Sequence, residues 1–387
     1  MIIGLLGFEF ESSNKGCEAL TFALFPVLEK TFKNSHIVVF NIHDSLGYIP
    51  SIYSDFSFDN IKIQMKKPSF WKLLREKIRK CDVILDITHG DSFSDIYGMK
   101  WFIKTSLIKQ LVLDSGTPLI LMPQTYGPFN SKLAFNWAKK IIRKANRVYT
   151  RDNISKDYLI NKMSISRDSV FNTSDMAFAL PYNPEKLNDD NIKVGINVSG
   201  LLWTKDEMDN NKISLTVNYK EYCNKLIDWL NNNDGYSVYL IPHVICDERE
   251  GLEYYDNDCV PSKELKDTYA NCIFRSDFDT AIDVKNYIAA MDVLIAARMH
   301  ASIGAYSAGV CSIPFAYSRK FAGVYDDLSY KYIIDGTALN TDDAVNKTIE
   351  FIKQYKEIQA EIQKGMRIVK NKSNNFVSDL EKTLEKI

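Results

Sequence analysis

The chain has 387 residues, 45% hydrophobic and 25% charged, with 48 Lys plus Arg against 49 Asp plus Glu. That length fits two domains, each large enough to bury its own core. The net charge of −1 excludes a global attraction to nucleic acid or anionic membrane, so any anion recognition must be local.

Residues 1–7, MIIGLLG, carry no basic region and are too short for a secretory signal. No apolar run approaches the roughly 20 residues that span a bilayer, and a cytoplasmic protein is expected. The run IIGLL (2–6) predicts the first strand, and a helical pattern follows from Cys17 to Phe32. IVVF (37–40), DVILDI (82–87), PLILM (118–122), RVYT (147–150), KVGINV (193–198), SVYLIP (237–242), DVLIAA (292–297) and CSIPFAY (311–317) continue the strand series. Apolar strands separated by helical patterns predict an α/β fold with parallel sheets. Residues 171–191 are rich in Pro, Asn and Asp and read as a linker. The expected organisation is a Rossmann-like domain over 1–180, a second over 191–335, and amphipathic helices over 341–387 that pack on the body. The lysines of this last segment leave membrane-surface contact as an alternative. Seven cysteines form no CxxC pair and stand at no ligand spacing with the histidines. Reduced thiols and no metal site are expected.

In doubly wound sheets ligands bind beyond the carboxyl ends of the strands, so the default site is a cleft between the strand ends of the two domains. After the first strand come Asn14, Gly16 and Glu18, a glycine and a helix start suited to an anion or to a plain cap. After DVILDI the loop THGDSFSD crowds polar groups at His89, Gly90, Asp91 and Ser92. This density suggests a binding loop, in which His89 serves as acid or cation or is simply structural. Arg151 follows RVYT and can fork onto an anion or pair with Asp152 or Asp175. Ser199 and His243 follow strands of the second half, and Tyr317 and Lys320 follow CSIPFAY. Arg298 and His300 follow DVLIAA. Strand alternation is expected to turn both toward one side, the arginine holding an anion while the histidine exchanges a proton with it.

The sequence resembles the polysaccharide pyruvyl transferase family. The matching stretches are SNKGCEAL, GDSFSDIYG, YTRDNIS, LIPHV and above all ARMHASIGAYSAGVCSIPFAYSRKFAG, in order, from about residue 2 to 328. The resemblance implies two Rossmann-like domains of glycosyltransferase-B-like architecture, with the acceptor on the N-terminal side and the donor on the C-terminal side. It implies transfer of pyruvate from phosphoenolpyruvate, a co-substrate with no further cofactor, onto two sugar hydroxyls as a cyclic ketal. It also implies a lipid-linked or nucleotide-linked precursor of a cell-surface polysaccharide, such as an exopolysaccharide or capsule, and transient contact with the inner membrane face. Arg298 and His300 take donor binding and acid catalysis in this reading, and Arg151 and Lys320 are further candidate cations for the donor. The alternative is a glycosyltransferase of the same architecture that uses a nucleotide sugar.

Overall fold

A computed structural model describes residues 1–41, 46–204, 214–246 and 255–387, without the side chains of residues 30, 31, 319 and 320. The chain forms two compact units. Unit 1 comprises Met1–Glu11, Leu20–Ala179 and Val369–Ile387; unit 2 comprises Ser12–Ala19 and Leu180–Ile368.

Unit 1 is built on a seven-stranded sheet: β1 Ile2–Leu6, β2 His36–Asn41, β3 Ser57–Lys62, β4 Val83–Asp86, β5 Leu119–Gln124, β6 Arg147–Thr150 and β7 Val170–Asn172. The order is β3-β2-β1-β4-β5-β6-β7, and every neighbouring pair is parallel. Unit 2 carries six strands: β8 Ile192–Asn197, β9 Tyr236–Leu240, β10 Ile273–Phe274, β11 Val293–Ala296, β12 Cys311–Ala316 and β13 Ile334–Asp335. Their order, β10-β9-β8-β11-β12-β13, is again all parallel. Central strands have side chains buried on both faces, as at Leu85, Ile120, Val293 and Ile313, which is why they read as unbroken apolar runs.

Each order winds outward in one direction from its first strand and then jumps back beside it. The switch points are therefore β1/β4 in unit 1 and β8/β11 in unit 2, where crevices form beyond the strand ends.

Three local differences from the sequence reading have plain causes. The helical pattern 17–32 is two helices, Lys15–Phe22 and Phe25–Thr31; a proline sits in the first turn of the second, where its missing N–H is harmless. The stretch read as linker begins inside β7, and the division between units falls at Ala179/Leu180. Residues 12–19 cluster with unit 2 because Asn14 bridges to Val244 and the Lys15 amide donates to the His243 carbonyl at 3.0 Å.

The C-terminal helix Thr341–Lys353 packs on the helix Tyr219–Asn231, with Tyr222 and Thr348 hydroxyls at 2.8 Å. The long helix Tyr355–Leu384 gives its first part to unit 2 and its last part to unit 1. In unit 1, Asp379 receives both arms of Arg147 at 2.7 Å and Phe376 lies edge-on to Tyr149. Among the described residues no helix is long and apolar enough to cross a membrane.

Candidate functional site

At the β8/β11 switch of unit 2 one carboxylate organises three strand ends. Asp258, fully buried, accepts from the amides of Gly200, His243 and Val244 at 2.9–3.0 Å and from the Asn197 side chain at 3.1 Å. It also takes the guanidinium of Arg298, Nε at 3.1 Å and Nη2 at 2.6 Å. Arg298 Nη2 further donates to the Asp256 carbonyl, and Nη1 faces the Asp256 carboxylate at 2.9 Å. The side chain of Asp256 is 40% exposed, whereas that of Asp258 is not exposed at all. Asp258 thus fixes the fork from the buried side, and Asp256 pairs with it from a partly exposed side chain.

Arg298 and His300 do not owe their arrangement to strand alternation. β11 ends at Ala296, Arg298 occupies the N-cap position in extended backbone, and His300 lies in the first turn of the helix Met299–Ala308. Arg298 gives that helix no side-chain cap. Gly16 serves His300: a Cβ at position 16 would lie 2.3 Å from the imidazole Nδ1, so only glycine lets the ring approach. The sequence reading gave that approach to a ligand; here a protein side chain makes it. His243 is 5% exposed; burial, then the charges of His300, Arg298 and Lys15, hold its imidazole well below the ordinary value, so it is neutral near pH 7.

Other expected ligand contacts of this region are structural. Asn14 accepts from the Gly16 amide at 3.0 Å and so caps its own helix. Glu18 is 1% exposed and closes on Lys15 at 2.7 Å and on the amides of Ser12 and Ala281 at 2.8 and 2.9 Å. Burial pushes its carboxyl above the ordinary range against the pull of Lys15. Ser199 is fully buried, and its amide donates to the Tyr219 hydroxyl at 3.1 Å. Tyr317 is partly buried, packs on Phe321 at 5.7 Å and acts electrostatically on Arg298. The Lys320 side chain lies outside the described residues.

At the β1/β4 switch of unit 1 a pocket holds about 530 Å³ of empty space, part of it open to solvent. His89 lines it, with Nδ1 3.2 Å from the Glu9 carboxylate and its ring 5.6 Å from Trp101. Deeper in, Lys109 donates to Thr88 at 2.6 Å and pairs with Asp86 at 3.1 Å, both charged groups 2% exposed. Burial lowers the Lys109 ammonium from its ordinary range against the pull of Asp86. Thr88 and His89 both stand at positive φ, 41° and 54°, a costly conformation for non-glycine residues and most of all for a β-branched one.

Gly90 (φ 85°) closes this turn, its amide donating to Ile87 and its carbonyl accepting from Thr125. Asp91 accepts from the Tyr97 hydroxyl at 2.8 Å, and the Ser92 carbonyl accepts the Trp101 indole N–H at 3.1 Å. Arg151 is turned to protein partners. It is 2% exposed, pairs with Asp175 at 2.9 Å and donates to Thr125 at 2.8 Å, because burial beneath the Gly90 turn demands a carboxylate partner.

The sequence reading missed Asp258, Lys15, Glu9 and Trp101. Asp86 did carry a signal, a charge in the interior of the apolar run DVILDI. The donors of Asp258 come from three strand ends far apart in the chain, and Glu9 and Trp101 are equally separated, so spacing holds no trace of either grouping.

Comparison with known proteins adds the following. A profile of the family described as polysaccharide pyruvyl transferase matches residues 14–319. No curated protein matches the chain. Among solved structures the chain is similar to a glycosyltransferase from Rickettsia africae, with 11% identity over 100% of this chain and 99% of that one and a TM-score of 0.61. It is equally similar to HepE from Anabaena in complex with UDP and glucose, with 11% identity, 100% and 99% coverage and a TM-score of 0.61. A UDP-GlcNAc 2-epimerase from Neisseria meningitidis bound to UDP-GlcNAc follows, with 12% identity, full coverage of both chains and a TM-score of 0.58. At such identities the likeness concerns the fold, which is glycosyltransferase-B-like: two Rossmann-like domains with parallel sheets.

Proposed function

Because the chain belongs to the polysaccharide pyruvyl transferase family, we propose that it moves pyruvate from phosphoenolpyruvate onto two hydroxyls of a sugar in a cell-surface polysaccharide precursor. The product is a cyclic ketal and the leaving group is phosphate. The observation that carries this reading is the Arg298–His300 constellation beside the uncapped N-terminus of the helix Met299–Ala308. The donor bears a phosphate and a carboxylate, and this place offers helix amides and a guanidinium aimed by Asp258. A donor oxygen takes the place of the exposed Asp256 carboxylate on Nη1.

The chemistry then balances without a further cofactor. His300 protonates the methylene carbon, leaving positive charge on the carbon that bears phosphate and carboxylate. A sugar hydroxyl adds there and loses its proton; phosphate departs with the C–O electrons; a second hydroxyl adds, loses its proton and closes the ring. Of the two hydroxyl protons, one replaces that given to the methyl group and one leaves on phosphate. A positioned acid of this kind contributes about 10²–10⁴-fold. The precursor is lipid-linked or nucleotide-linked, and the enzyme works in the cytoplasm, with transient contact at the inner membrane face.

The test is phosphate release from phosphoenolpyruvate in the presence of methyl galactoside, mannoside or glucoside, with the ketal methyl followed by NMR. Acceptor-dependent release that falls at least ~100-fold in Arg298→Ala is the expected result. Consumption of a nucleotide sugar in place of phosphoenolpyruvate overturns the proposal.

A further inference from the structure

Three neighbouring helices of unit 1 carry an outer face unlike an ordinary water-facing surface. The helices Pro68–Arg79, Met99–Ser115 and Lys132–Lys144 lead into β4, β5 and β6 in turn, so all three run the same way against the parallel sheet. The middle helix packs on both others. Its Phe102 lies edge-on to Trp137 of the third helix, and its Asp114 carbonyl accepts from Arg75 of the first at 2.9 Å. Their inner faces share one core through Leu74, Phe102, Val112, Ala138 and Ile141.

The outer faces should be polar, because the core is already filled from within. Instead Leu73, Ile103, Leu107 and Leu133 are all exposed. Ile103 and Leu107 stand four residues apart, one above the other on the middle helix, and Leu73 and Leu133 fall in the first halves of the flanking helices. A single exposed leucine needs no explanation, but a group on adjacent helices does.

Charge says what covers it. Leaving aside Lys109, buried against Asp86, the three helices hold eleven Lys and Arg and two acids, Glu76 and Asp114, in a chain of net charge −1. Lys72, Lys100, Lys132 and Lys140 are exposed and paired with no acid among the described residues. Lysines around aliphatic side chains complement anionic headgroups above acyl chains. A nucleic-acid surface would instead turn aromatic faces outward for stacking. The C-terminal helix Tyr355–Leu384, whose lysines suggested membrane contact in sequence, lacks this combination. Its Ile358, Ile362, Val369, Phe376 and Leu380 are buried on the body, and Glu357, Glu361 and Glu381 stand among its cations.

We infer that the outer face of these three helices is a peripheral docking surface for an anionic bilayer. Leu73, Ile103, Leu107 and Leu133 enter the headgroup boundary, and the flanking lysines pair with lipid phosphates. This docking rests on those side chains and not on pyruvyl transfer, and it moves the membrane contact from the C-terminal lysines to unit 1.

The test is co-sedimentation of the full chain, without substrate, with vesicles of phosphatidylcholine and phosphatidylglycerol in equal parts and with phosphatidylcholine alone. The wild type binds the anionic vesicles, is released by high salt and leaves the neutral ones. Lys72→Glu, Lys100→Glu and Lys132→Glu combined weaken binding at least ~50-fold. Leu73→Gln, Leu107→Gln and Leu133→Gln combined weaken it about 10-fold. Lys356→Glu, Lys370→Glu and Lys382→Glu combined, on the C-terminal helix, leave it unchanged. All nine positions are exposed, and circular dichroism checks that each variant is folded. No binding of wild type to anionic vesicles, or unchanged binding in both unit 1 triples, overturns the surface. A loss in the C-terminal triple alone overturns its placement. Loss in the lysine triple of unit 1 with full binding in the leucine triple marks a site for polyanions such as RNA and overturns the bilayer.

Discussion

The switch points of the two units share a topology and differ in chemistry. Beyond β1 and β4 Lys109 pairs with Asp86, His89 faces Glu9, an indole forms a wall, and the backbone is strained at Thr88 and His89. Beyond β8 and β11 a single buried carboxylate gathers three loops and holds a guanidinium at the mouth of an uncapped helix, with a neutral buried histidine nearby. The order of strands decides where a crevice forms; the residues just past the strand ends decide its chemistry.

The comparison breaks most readily at Asp258. Asp258→Ala strands a buried guanidinium and several amides and costs about 3–5 kcal/mol in urea unfolding, whereas Asp256→Ala, at a partly exposed partner, costs under about 1 kcal/mol. Equal losses would mean that no hub exists. Next come two of the close-approach glycines, Gly7 and Gly16. Gly7→Ala puts a Cβ 2.5 Å from Thr88 backbone at φ 69° and destabilises by about 2–4 kcal/mol. Gly16→Ala meets the movable imidazole of His300 and, at 3.0 Å, the Asn14 side-chain oxygen, so it costs about 1–2 kcal/mol and shows mainly as a kcat loss of at least ~10-fold. A Gly16→Ala enzyme with full kcat would detach His300 from catalysis.

The last test concerns Lys285, away from both crevices. It is 2% exposed and donates to the Leu180 carbonyl at 2.7 Å; burial lowers its ammonium from 10.5 to about 7. The unfolded chain therefore takes up a proton between about pH 10 and 7 that the folded chain refuses. Its stabilising contribution is full above the unfolded value and is lost as pH falls to about 7. Lys285→Met narrows the stability difference between pH 10 and pH 7 by roughly 1–3 kcal/mol in chemical unfolding.

Nine apolar runs anticipate nine central strands, and the four strands they miss, β3, β7, β10 and β13, are the four sheet edges. An edge strand is buried less fully; β3, SFDNIK, contains no fully buried residue and reads as polar sequence. The same logic governs the sites. His89, Ser199, His243, Arg298 and His300 drew notice in sequence because each stands just after an apolar run. Arg151 stands there too, and of the readings open in sequence, an anion or a pair with Asp152 or Asp175, the structure shows the pair with Asp175, 24 residues on. Glu18 was misread because its partners, apart from Lys15 and Ser12, lie across unit 2 at Ala281. Position after a strand is visible in sequence; who pairs with a charge once it is buried is not.

The division of labour between the crevices, acceptor on the N-terminal side and donor on the C-terminal side, is tested most directly by steady-state kinetics of Arg298→Ala and Trp101→Ala measured side by side, varying phosphoenolpyruvate and methyl glycoside in turn. The account predicts that Arg298→Ala raises KM for phosphoenolpyruvate and lowers kcat, while Trp101→Ala raises only KM for the glycoside. Both substitutions moving the same KM would contradict it.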